Sequence, residues 1–263
     1  MFNLIVTCVG SKNFEGPSIG QVCRDLISRD VKNDVDALFH EWKKTINEFK
    51  ENAPSCSAKD LYKGPMWSAS LEAFEEISGP KRLWIISSGF GLISSMDRMC
   101  GYSATFKPGQ RDSIYNKEFF TKTNANMVKR EWWNLLSTED MLERKQQPPS
   151  INELFNHSQE RDVILIAAGK HYYEAIFDDL NQLNVSQHSP DLALIGVKKH
   201  DSGFNPRIPS KLSSHVIPYQ DGSDLQKFLS PRYGCSRIQI HQKTALHVIK
   251  QYNLSKRFDI ILP

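Results

Sequence analysis

At 263 residues, with 40% hydrophobic and 24% charged residues, the chain is long enough to bury a full core and too apolar for a disordered class. No stretch approaches the roughly 18 consecutive apolar residues of a membrane span, and a net charge of +3 permits a polyanionic partner without demanding one. Five widely spaced cysteines without a CxxC pair fit neither a disulfide framework nor a zinc site, so a cytoplasmic setting with no metal and no cofactor is expected.

The chain opens on an apolar β-type run over residues 2–9, with no basic n-region or small-residue cleavage site, which predicts a strand and no targeting signal. Continuous Ile, Val and Leu runs over 83–87, 163–168 and 192–197 predict further strands. Unbroken apolarity is what strands covered on both faces require, hence a parallel sheet. Amphipathic segments over 31–50, 67–77 and 172–183 predict the helices of βαβ units. Helices over 116–135 and 138–145 form an insertion near 116–147, a candidate lid. Pro148 and Pro149 stiffen the connection over 146–150, because neither can donate a backbone hydrogen bond.

Further on, the 199–214 stretch with Gly203, Pro206 and Pro209 predicts a long functional loop, and Val216 and Ile217 a short fifth strand ahead of Pro218. From Pro231 on, Arg232, Arg237, His241, Lys243, Lys250, Lys256 and Arg257 accompany helical periodicity over 238–252, a basic C-terminal helix. The expected fold class is α/β, a mostly parallel Rossmann-like sheet with helices on both faces. Residues 1–230 form the core domain, and 231–263 a basic helical extension packed on it.

Ligands of open α/β sheets sit beyond the carboxyl ends of the strands, so the segments there are the candidate site. After the first strand, Gly10, Ser11 and Lys12 offer a glycine, a hydroxyl and a cation for a phosphate or base edge, or else a plain glycine turn. After the second, Ser88, Gly89, Phe90 and Gly91 form a small-residue turn that allows close backbone approach. The Tyr102, Ser103, Thr105 and Phe106 cluster and then Asp112 follow it. After the third, Lys170 and Tyr172 join a cation to an aromatic ring that suits a stacked base. No G-x-S-x-G elbow appears, and His171, His200, His215, His241 and His247 show no metal spacing, which makes each a surface or loop histidine. Acid–base work then falls to Asp60 and Asp112, carboxylates able to stabilise an oxocarbenium-like centre; Asp60 serves equally as a helix cap.

The stretches VTCVGSK at Val6, KDLYKGPMW at Lys59, WIISSGFGLI at Trp84 and YSATF at Tyr102, with AAGKHYY at Ala167, resemble the YaaA-like peroxide-stress proteins. The likeness covers roughly residues 1 to 115. It falls on Asp60, Tyr62, Gly64, Ser88, Gly89, Gly91 and Tyr102, while the family's basic helical insertion and the proline before the tyrosine are missing. The resemblance implies a nucleobase as target. The leading expectation is an enzyme that cleaves or exchanges an N-glycosidic bond in DNA or a nucleotide, like a DNA glycosylase, in an antiviral-defence setting. Phe90, Tyr102, Phe106, Tyr172 and Tyr173 would wall a flipped base, and Arg237, His241 and Lys243 would hold phosphate. The alternatives are a non-catalytic DNA-binding stress protein, and a nucleoside or nucleotide hydrolase or ribosyl transferase.

Overall fold

The computed structural model describes residues 1–139, 141–142, 147–196, 208–217, 222–256 and 258. In chain order the elements are β1 (Phe2–Thr7), α1 (Ile19–Ser28), α2 (Val35–Lys50), β2 (Ser55–Ser57), α3 (Ala58–Leu61), α4 (Pro65–Glu76), β3 (Lys81–Ser87), β4 (Gly91–Ser94) and β5 (Arg98–Cys100). They continue with α5 (Ala125–Thr138), α6 (Ile151–His157), β6 (Val163–Ala167), α7 (Lys170–Ala175), α8 (Phe177–Gln182), β7 (Asp191–Ile195), α9 (Gly222–Tyr233) and α10 (Ile240–Ser255).

Five strands form one sheet in the order β4-β3-β1-β6-β7. All its neighbours pair in parallel except β3 and β4, an antiparallel hairpin. Every residue of β1 and β6 is buried, so both faces are covered, as the unbroken apolar runs require. The chain moves from β1 to β3 on one side and from β6 to β7 on the other, and helices cover both faces. Accordingly α4 pairs with α10, which lies over β6 and β7, while α5 lies on β4 and packs with α2, α7 and α8. Trp132 and Trp133 of α5 are fully buried, which excludes them as a partner surface.

Several boundaries differ from the sequence expectation for local reasons. Helix α1 went unpredicted although Ser18 caps it and Ile19, Val22, Cys23 and Leu26 bury one face at helical spacing. The 31–50 helix starts at Val35, where the Asp34 carboxylate accepts from the Ala37 N–H at 2.8 Å. The 116–135 helix likewise starts later, behind its Asn124 cap. Thr138 ends α5, Met141 and Leu142 form a turn, and the rest of the 138–145 expectation lies outside the described residues. The 172–183 helix is two short ones, α7 and α8, broken at Ile176. Val216 makes a single parallel bridge to Leu194, and 199–207 lies outside the described residues.

Helix α10 is the largest correction. Residues Gln242 to Ile249 are all buried, and Ile240, Ala245, Leu246, Val248 and Ile249 belong to the hydrophobic core. It closes one face of the sheet. No helix among the described residues is long and apolar enough to cross a membrane.

Candidate functional site

Strands β1, β3 and β6 end side by side, and the residues that follow them interlock through polar side chains. The Cys8 Sγ, just past β1, lies 3.2 Å from the Tyr172 hydroxyl and 3.6 Å from the Ser88 Oγ. That phenol also donates to the Cys8 carbonyl at 3.2 Å. The chain leaves β1 toward β3 on one side and β6 toward β7 on the other, so this contact lies where the strand order reverses, the place where Rossmann-like sheets receive ligands.

Beside it, the Tyr102 hydroxyl meets the Ser87 Oγ at 2.7 Å and the Tyr62 hydroxyl at 2.8 Å, with all three residues buried. Burial pushes the phenols of Tyr62, Tyr102 and Tyr172 well above the ordinary tyrosine value, so each is a neutral hydroxyl at physiological pH. Lys12 projects its Nζ over the Tyr102 ring, 4.1 Å from the centroid, and 5.6 Å from that of Tyr62, and donates to the Val9 carbonyl at 3.3 Å. Burial pulls its ammonium below the usual lysine value, against the opposing charges of Cys8 and Asp112. Asp112, partly exposed, accepts from Ser18 Oγ on one oxygen and from Ser103 Oγ at 2.7 Å on the other.

The segments after β1, β3 and β6 thus converge with the 61–63 and 102–106 stretches in one hydrogen-bonded group. Lys12 and Asp112 are partly exposed in it, as are Ser18, Ser103 and Tyr172. Ser11 lies on the rim, its carbonyl accepting from the Lys63 N–H at 3.1 Å. Thr105 Oγ1 accepts from the Lys107 N–H at 3.2 Å inside the loop that carries Asp112, and the Thr105 N–H donates to the Asp112 carbonyl at 2.8 Å. Lys170 is ion-paired with Glu174 at 3.7 Å.

Other expected site residues have structural roles. Phe90, Tyr102, Phe106 and Tyr173 are core residues, Phe90 and Tyr102 in ring contact at 5.0 Å, and cannot wall an open base pocket. The 88–91 turn closes the β3–β4 hairpin: Ser87 Oγ accepts from the N–H groups of Gly89 and Phe90, and Gly91 has φ +80°. At Gly89 a Cβ would stand 2.7 Å from the Tyr102 ring, so that glycine admits Tyr102 and no incoming molecule. The Ser88 and Gly89 carbonyls are taken by the indole N–H groups of Trp132 and Trp42 at 2.9 and 3.0 Å.

Asp60 is exposed and lies inside α3, where its N–H donates to the Oγ of the cap Ser57 at 3.3 Å and its carboxylate accepts from that Oγ at 2.5 Å, so the cap is Ser57 and not Asp60. Lys243 is buried and ion-paired with Glu72, so it is not available to phosphate. His241 is half-buried against Gly169 and Gly196, and burial pushes its imidazole down to about 4, leaving it neutral and without charge to offer a phosphate. Arg237 is exposed beside these two.

Sequence reasoning missed the Ser18 hydroxyl that fixes Asp112, and it missed the polar group on α5 and α7. There Lys129, almost fully buried, pairs with Glu174 at 2.7 Å, and His171 Nδ1 lies 3.0 Å from the same carboxylate oxygen. The 171/174 spacing on one helical face was the available signal. Among the described residues no group of three or more His, Cys, Asp or Glu side chains is arranged to hold a metal ion. No protein-family model, curated protein or solved structure matches the chain, and what this edge can do must follow from its own geometry.

Proposed function

We propose that the protein is an enzyme acting on a nucleoside or nucleotide, cleaving or exchanging its N-glycosidic bond at the carboxyl edge of the sheet. The observation that carries this reading is Asp112: a partly exposed carboxylate with each oxygen fixed by a serine hydroxyl, in the electrostatic reach of Lys12. A carboxylate so oriented opposes the positive charge that builds on C1′ as the C1′–N bond lengthens. In hydrolysis the water oxygen bonds to C1′, the base departs with the bonding electron pair, and one water proton ends on the base. Lys12, stacked on two tyrosines, supplies a cation for a ligand phosphate, and Tyr172 and Cys8 form the floor between β1 and β6.

A small nucleotide is favoured over duplex DNA because α10, the helix expected to hold phosphate, has Lys243 buried and packs into the core. The resemblance of the converging segments to the YaaA-like proteins supports a nucleobase target. The test is incubation with free nucleosides, nucleotides, unmodified DNA and DNA carrying modified bases, with released bases read by mass spectrometry. Release from the small substrates is expected. Silence on all of them, with DNA retained in a shift assay, would replace this reading with that of a non-catalytic DNA-binding protein.

A further inference from the structure

At the amino edge of the sheet, β3 opens on two consecutive cations, Lys81 and Arg82, which stand in different surroundings. Lys81 donates to the Phe74 and Glu75 carbonyls at 3.0 Å each, near the C-terminal end of α4, where a cation is favoured. It also pairs with one oxygen of the Glu75 carboxylate at 3.3 Å, while Lys59 of α3 pairs with the other at 3.5 Å. Two lysines thus share one carboxylate. Arg82 is exposed and has no hydrogen bond or ion pair with any described residue. The carboxylate that feels its charge, Asp162, is already taken by the Met1 amine at 2.5 Å and the Gln159 N–H at 3.0 Å.

These cations line room for a ligand. Among the described residues that bound a cavity of about 470 Å³ are Lys59, Lys81 and Arg82, with no carboxylate in its wall. A second cavity of about 480 Å³ adjoins it across Arg82, Gln147 and Pro148. Each is of the size that small ligands occupy. Three cations drawn to one shared carboxylate leave an excess of positive charge, which selects an anion. The unpaired guanidinium at the junction of the two cavities offers the planar fork that binds two phosphate oxygens. Glu75 is 61% exposed, so its pairs are screened and readily exchanged for an incoming phosphate. Phe74 and Pro148 line the same cavity, with Met96, 72% exposed, and give the rest of such a ligand an apolar surface.

We propose that this amino-edge groove is a second ligand site, which binds a phosphorylated small molecule through phosphate groups on Arg82 and Lys59. It lies a strand length from the carboxyl edge, about 20 Å for the six residues of β1. The proposal is independent of the glycosidic reading, because none of its residues belongs to the group around Asp112.

The test is calorimetric titration of the full chain with inorganic pyrophosphate and with ADP at two ionic strengths, comparing wild type, Arg82→Ala, Glu75→Gln and Lys12→Met. Wild type is expected to bind both, more weakly at the higher salt. Arg82→Ala should weaken one binding event by ~10–100-fold without a change in urea unfolding. Glu75→Gln frees both lysines and should tighten the same event by about threefold, a gain that a merely structural role would not produce. Lys12→Met should leave that event in place, which separates it from any phosphate held in the crevice. A wild type that binds neither probe at millimolar concentration, binding that Arg82→Ala leaves unchanged, or binding that Lys12→Met abolishes overturns the amino-edge site. Base release is not read in this titration, so failure of the glycosidic reading leaves its result standing.

Discussion

At the carboxyl edge of the sheet, polar side chains from separate segments are buried against one another, whereas at the amino edge they stand around open space. Cavities of about 480 and 470 Å³ lie there, sharing Arg82, Gln147 and Pro148. The ion pairs nearby, Lys81–Glu75 at 3.3 Å and Lys59–Glu75 at 3.5 Å, involve a largely exposed carboxylate and are screened by water. At the carboxyl edge the hydroxyls of Tyr62, Ser87 and Tyr102 are desolvated and fixed by one another, so displacing one strands another. Preorganised groups distinguish the edge where we place the reaction from the amino edge.

The comparison breaks most readily at Lys129. Replacing it with Met leaves Glu174 charged and buried, with an expected loss of about 3–5 kcal/mol in urea unfolding; Glu174→Gln in the same chain should return much of it. An equal loss in the double variant would mean that Lys129 acts by packing alone.

Next in size is an acid effect at His241. The unfolded chain takes up a proton near the ordinary histidine value, whereas the folded imidazole, held at about 4, does not. Stability present above about pH 6.5 should therefore fall as pH drops toward 4. The loss between pH 7 and pH 5 is on the order of 2 kcal/mol, and His241→Gln should flatten that part of the curve. An unchanged slope would contradict a neutral, buried ring.

Tyr62→Phe removes the hydroxyl bound to Tyr102 while Tyr102 keeps Ser87. An expected loss of about 1 kcal/mol contrasts with Arg82→Ala at the amino edge, expected within about 0.5 kcal/mol of wild type. Equal effects would erase the distinction between the edges. Smallest of all is Arg237→Ala, for which nucleotide affinity and its salt dependence should be unchanged in a titration at two ionic strengths.

Much of this fold is legible in the amino acids, and the reasons are physical. β1, β3, β6 and β7 are unbroken apolar runs because both faces of the sheet are covered, a pattern no amphipathic surface helix imitates. β4 is hidden because its first residue, Gly91, belongs also to the hairpin turn. β2 and β5 are three residues each, too short for any period to emerge. α10 is predictable as a helix packed on the core, but the burial of Lys243 and half-burial of His241 are not, since both count as surface charges until the positions of Glu72, Gly169 and Gly196 are known. The candidate site divides in the same way. That residues after β1, β3 and β6 would gather follows from strand order. Which of them face outward does not: Phe90 and Phe106 went to the core, Asp60 to the first turn of α3 behind its Ser57 cap, and Asp112 kept a partly exposed carboxylate.

The measurement that bears most directly on the central claim is the rate of base release from nucleosides and nucleotides by wild type, Asp112→Asn and Asp60→Asn. The predicted result is release by wild type and Asp60→Asn at similar rates, with Asp112→Asn lower by ~10³-fold and still folded. Full activity in Asp112→Asn, or a loss confined to Asp60→Asn, would contradict the assignment of the chemistry to the carboxylate that Ser18 and Ser103 hold.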